Sequence, residues 1–112
     1  DFNIEHRRTF EAVLTACRPV GEYSVREIYT FETPSSTEWN FNGKNNVFYP
    51  NVFVDIEDTI DDKLKAMACY QTELREYPHP RSLEALKIIA SRWGTVVGKK
   101  YVEAFELIRK VR

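Results

Sequence analysis

Apolar residues recur with a helical period in three stretches of the chain. Phe10, Val13, Leu14 and Cys17 stand at i, i+3, i+4 and i+7. Asn3 can cap that helix at its start, and Arg18-Pro19-Val20-Gly21 ends it, because Pro cannot continue the turn and Gly frees the backbone. Ile60, Leu64, Met67, Ala68, Gln71 and Leu74 mark the inner face of a second helix. Asp58 or Thr59 caps it, with Asp61 and Asp62 in the first turn, where the helix dipole favours anions. Tyr77-Pro78-His79-Pro80 then breaks the chain. Ser82 starts a third helix, with Leu83, Leu86, Ile89, Ala90 and Trp93 inward and Gly94 as its C-terminal stop.

Three other segments favour an extended chain. Ser24 to Phe31 is rich in β-formers, Val52 to Ile56 reads as a short strand, and Val102 to Val111 beside Gly98 mixes Phe, Leu, Ile and Val. Between the first two, Glu32 to Asn51 keeps neither period and carries Pro34, Gly43, Pro50 and Ser35-Ser36-Thr37. A loop of about twenty residues inside a compact domain is uncommon and usually functional or mobile. Trp39, Phe41, Phe48 and Tyr49 within it suit the wall of a pocket or a subunit contact. The order helix–strand–strand–helix–helix–strand, about three helices and three short strands, predicts an α/β lobe.

Composition narrows the function. Fifteen aromatics among 112 residues argue against disorder. Sixteen basic residues against seventeen acidic ones give a formal charge of −1, which speaks against nucleic acid as the partner. No apolar run is long enough for a membrane span, and no signal peptide opens the chain. Cys17 and Cys69 are too few for a disulfide scaffold and read as reduced, buried thiols of a cytoplasmic protein. The chain opens on Asp1 rather than Met, already at the start of a helix, as if cut within a domain.

The chain has only two histidines, and their placement is informative. His6 lies four residues before Phe10, at a helix N-terminus that disfavours imidazolium and keeps a lone pair available for a metal. Glu5 beside it is a candidate partner for the ring. The same position suits a histidine that merely hydrogen-bonds to a loop. His79 is stiffened by Pro78 and Pro80, so it can act as a general acid or donate to a developing oxyanion, or it can be a surface turn histidine. Ser35-Ser36-Thr37-Glu38 offers hydroxyls and a carboxylate for sugar recognition or a local turn cap. Gly-x-Ser-x-Gly, glycine-rich phosphate loops, Cys-x-x-Cys and His-Glu-x-x-His are all absent. Lys99-Lys100 and Arg109 to Arg112 are interleaved with Tyr, Glu and aliphatics, as on a solvated face.

Three stretches taken in order resemble the C-terminal half of the PIG-L/LmbE-like deacetylases: Asn3-Ile4-Glu5-His6-Arg7, Tyr29 to Trp39, and His79-Pro80-Arg81-Ser82-Leu83-Glu84-Ala85-Leu86. Arg92-Trp93-Gly94, Val97-Gly98 and Tyr101-Val102-Glu103-Ala104-Phe105 look like that family's ending. The resemblance implies the C-terminal lobe of a Rossmann-like three-layer fold and a zinc-dependent N-deacetylase acting on N-acetylglucosamine-type sugars. It places His6 as a metal ligand, Asn3 and Glu5 behind it, and His79 near the reacting carbonyl. Ser35, Ser36, Glu38 and Trp39 fall in a substrate-binding loop. Glu5 stands where the family has Asp, one methylene shorter.

The family's His-Pro-Asp-Asp motif does not occur in this chain, so two metal ligands and the expected general base are missing. The resemblance therefore implies that residues 1–112 are the C-terminal portion of one deacetylase domain, inactive alone, whose partner is the N-terminal half. A second copy of the chain is the other candidate to cover exposed sheet edges and apolar helix faces. The competing expectation is a non-catalytic carbohydrate-binding or protein-interaction domain derived from the same fold, working through its aromatic loop.

Overall fold

The computed structural model describes residues 1–41 and 47–112. Among these, three helices and three strands follow in the expected order: α1 (Ile4–Ala16), β1 (Glu27–Phe31), β2 (Val52–Asp55), α2 (Ile60–Ala68), α3 (Leu83–Val97) and β3 (Val102–Lys110). The strands form a mixed α/β domain's small sheet in the order β1-β3-β2. The chain divides into two compact units, Asp1–Pro50 with Phe105–Arg112, and Asn51–Ala104.

In the first unit, Asn3 caps α1 as its residue type predicts: its side-chain oxygen accepts from the Glu5 and His6 backbone N–H groups at 2.8 and 3.4 Å. The helix buries none of its residues. Phe10 and Val13 are 44% and 45% exposed, so the inward stripe read from the period is not buried here. β1 starts three residues later than the β-rich run and pairs antiparallel with β3, Glu27 opposite Lys110 and Phe31 opposite Phe105. The register slips between Ile28 and Tyr29, leaving Ile108 as the extra residue of a bulge. Ile28 is buried, and Tyr29 meets Phe105 edge-on at 6.4 Å between ring centres.

Arg109 faces the same unit and is not part of a solvated patch. Its Nη2 donates to the Cys17 carbonyl at 2.7 Å and the Val25 carbonyl at 2.9 Å, tying the end of α1 to the lead into β1. The long loop is also partly built: Thr33 to Phe41 makes a run of turns stitched by its own hydrogen bonds. Its middle, including Gly43, lies outside the described residues.

In the second unit the helical period is met better by α3 than by α2, where Ile60 is buried, Leu64 and Met67 are half-buried and Ala68 is exposed. Ile56, Ile60 and Ala90 form a buried cluster with Tyr101 packed against it. Phe53 meets Trp93 at 6.3 Å between ring centres, and Ala85, Leu86, Val102 and Ala104 are buried. Ser82 caps α3, its Oγ accepting from the Ala85 N–H at 3.0 Å. β2 ends one residue early, and Ile56 instead donates its N–H to the Tyr101 carbonyl at 3.0 Å. Thr59 stands at the N-cap of α2 without a side-chain cap bond.

Two helix ends differ from the sequence expectation. α2 stops at Ala68; Gln71 and Leu74 belong to a separate turn, in which the Tyr70 carbonyl accepts from both Glu73 and Leu74. Gly94 does not stop α3. The helix runs on to Val97 and closes on Gly98, which takes the left-handed conformation at φ 71°. Gly94 is buried inside the helix because the chain after Gly98 folds back over it, and the Lys99 N–H donates to the Gly94 carbonyl at 2.9 Å. Neither cysteine matches the buried-thiol expectation: both are free, Cys17 half-buried and Cys69 exposed.

Candidate functional site

His6 sits in the first turn of α1, half-buried, where the Asn3 cap fixes the backbone. Its Nδ1 lies 3.0 Å from the Asp1 carboxylate Oδ2, while Asp1 Oδ1 accepts the Asn3 N–H at 2.8 Å. The two carboxylate oxygens are thus divided between the backbone turn and the imidazole. Asp1, not Glu5, is the ring's partner; Glu5 is exposed in the first turn, where its charge suits the helix dipole. Asn3 has the role of a cap and presents no donor set to a metal. The signal for Asp1 was in the sequence: Asp two residues before a capping Asn is an Asx-turn pattern, which brings a carboxylate back over the first helical turn.

The Asp1–His6 pair and the loop candidates meet in the same unit. The Phe2 N–H donates to the Ser36 carbonyl at 3.0 Å, joining the segment before α1 to the Thr33–Glu38 turn. Within that turn the Thr33 N–H donates to Thr37 Oγ1 at 2.7 Å, and the Ser35 N–H donates to the Glu38 carboxylate. Ser36 is buried, at 7% exposure. Trp39 follows, 40% exposed. One backbone hydrogen bond thus joins the segment that carries the carboxylate-backed imidazole to the hydroxyl-rich turn.

His79 belongs to the second unit. It is half-buried in a short turn in which its N–H donates to the Glu76 carbonyl and its own carbonyl accepts from Ser82, both at 3.0 Å. The Arg81 N–H donates to His79 Nδ1 at 3.1 Å, so the neutral ring carries its proton on Nε2. Arg81 also pairs with Glu73, and its carbonyl accepts from Arg75 to close the loop.

The donor chemistry at His6 fits one ligand position of a zinc ion: with Nδ1 directed at a carboxylate, Nε2 is the atom left to bind metal. Among the described residues no group of three or more His, Cys, Asp and Glu could hold a metal ion, so a zinc bound at His6 would take its other ligands from elsewhere. No helix among the described residues is long and apolar enough to cross a membrane. No family model, curated protein or solved structure matches the chain.

Proposed function

We propose that the chain is the C-terminal portion of a zinc-dependent N-deacetylase that hydrolyses the acetamide of N-acetylglucosamine-type sugars, with the remaining ligands and the general base supplied by the N-terminal half of the same domain. The observation that carries this reading is the His6–Asp1 pair, an imidazole backed by a carboxylate at a capped helix start. The ordered motifs from Asn3 to Phe105 give it a family context. Zinc bound there would polarise the acetamide carbonyl and make its water a nucleophile near neutral pH. His6 contributes Nε2, and Asp1 holds the ring proton on Nδ1.

The test is the zinc content of the gene product that carries this chain, wild type against His6→Ala. Loss of about one equivalent of zinc is expected in the variant. Unchanged zinc removes His6 as a ligand, and an upstream gene sequence without His-Pro-Asp-Asp removes the deacetylase reading.

A second reading rests on the exposed aromatics of the long loop, Phe41 at 89%, Tyr49 at 77% and Trp39 at 40%. Such aromatics suit a non-catalytic carbohydrate-binding or protein-interaction surface. Saturable binding of N-acetylglucosamine in the presence of a chelator, by a gene product without the Asp pair, favours it.

A further inference from the structure

α3 buries Ala85, Leu86, Ala90 and Gly94 within its own unit. Its outer side carries Glu84, Ile88 and Arg92 at i, i+4 and i+8, so they form one row along the helix, and all three are exposed. Ile88 is 50% exposed, and Val96 continues the row by another turn at 48%. This row is not a core face missing its cover, because the side of α3 that packs is already met by Ile56 and Ile60.

The two charges of the row are not used inside the unit. Among the described residues its ion pairs are made without Glu84 or Arg92. Arg92 leans on the ring of its neighbour Trp93, the guanidinium carbon 5.4 Å from the ring centre, which limits its freedom before any partner arrives. Glu84 stands in the first turn of the helix, where the dipole suits its charge.

Acid, isoleucine and base at equal spacing make a self-complementary row. Turned end for end about Ile88, it lays Glu84 of one copy against Arg92 of the other, twice over, with the two Ile88 side chains in contact between the pairs. Rows of this i±4 kind are the ridges through which helices most often pack. We propose that the row is a self-association surface, through which two copies of the chain pair their α3 helices antiparallel about a twofold axis at Ile88. The proposal stands apart from the deacetylase reading. One helix pair buries less than the roughly 1,200 Å² of a standard stable interface, so these contacts alone give a weak dimer, with Kd on the order of 100 µM.

The experiment is sedimentation velocity on the gene product that carries this chain, from about 10 to about 500 µM, a range that brackets that Kd. Wild type is compared with Ile88→Asp, Glu84→Arg, Arg92→Glu and the double reversal Glu84→Arg/Arg92→Glu. Wild type should dimerise across the range and Ile88→Asp should stay monomeric. Each single reversal sets like charges opposite each other at both ends and should weaken the dimer by about tenfold or more. The double reversal restores both pairs with their signs exchanged and should recover wild-type association to within about threefold. All three positions are exposed, so thermal melts should show each variant folded, and the reversals decide the matter without Ile88→Asp. A monomeric wild type overturns the proposal. Maleimide labelling of Ile88→Cys, with Cys17→Ser and Cys69→Ser, then tells a bare row from one covered by another part of the polypeptide. A dimer that the single reversals leave intact, or that the double reversal fails to restore, overturns this surface as the interface.

Discussion

Gly94→Ala should destabilise the protein even though alanine is the better helix former. At an exposed helix interior the substitution would gain up to about 1 kcal/mol. Gly94 is buried in α3, and a Cβ there would lie 2.8 Å from the Lys100 carbonyl oxygen and closer still to that of Lys99. Both neighbours are main chain, so no side chain can swing aside. The Gly94 carbonyl also accepts from the Gly98 and Lys99 N–H groups, which pin the returning strand to the helix. Overpacking against a fixed neighbour costs roughly 1–3 kcal/mol. A weakened cap bond adds about 1 kcal/mol.

Set against the helix-propensity gain, the net loss is about 2 kcal/mol, which for a domain of this size lowers Tm by roughly 8–12 °C. Thermal melts followed by circular dichroism at the helix band measure it. Gly98→Ala is the control: φ is 71° there but nothing lies within 4 Å of a built Cβ, so only backbone strain of about 1 kcal/mol applies. Gly94→Ala should therefore melt below Gly98→Ala. Equal or higher stability of Gly94→Ala relative to wild type would refute the close passage of Lys99 and Lys100 over the helix.

Two further substitutions test other contacts. Arg109→Lys keeps the charge but cannot hold the Cys17 and Val25 carbonyls with one planar group, so urea unfolding should show a loss of about 1–3 kcal/mol; an unchanged midpoint would reduce Arg109 to a surface charge. Asp55 is held below the ordinary aspartate value near 3.8 by the Glu57 N–H first and by Lys99 second. A lowered carboxylate contributes stability above its unfolded value and loses it as the pH falls through the folded one. Asp55→Asn should accordingly give a shallower fall in Tm below about pH 4 than wild type, and parallel acid limbs would count against the Lys99 and Glu57 contacts.

What was legible in the sequence depended on how local the cause was. Asn3 and Ser82 cap their helices because a short side-chain oxygen reaches backbone N–H groups two or three residues on, and nothing distant is needed. The order of helices and strands follows in the same way. Gly94 and Gly98 are the counterexample. Both are glycines near the end of one helix, and sequence alone cannot say which carries the left-handed turn and which makes room for the chain passing over it. Arg109 was hidden for a similar reason: its two carbonyl partners lie 92 and 84 residues away in sequence. At the start of α1 the short-range pattern reached the Asn3 cap, while the Phe2–Ser36 bond that joins the loop to that segment is a long-range contact.

The two amphipathic helices α1 and α3 sharpen that distinction. Each repeats apolar residues at helical spacing, yet Ala90 is 2% exposed while Phe10 is 44%. Periodicity says which face of a helix gains by leaving water; it does not say what covers that face. For α3 the cover comes from within its own unit, where Ile56 and Ile60 meet Ala90. For α1 no residue is fully buried, although Leu14 is half-buried, and polar contacts hold its two ends, Asn3 with Asp1 at the start and Arg109 at the Cys17 carbonyl. A helix held at its ends with its apolar face open is held in register for whatever its first turn presents. In this chain the first turn carries His6, so on the proposed reading the restraint that serves the metal site is the capping of α1 rather than its packing.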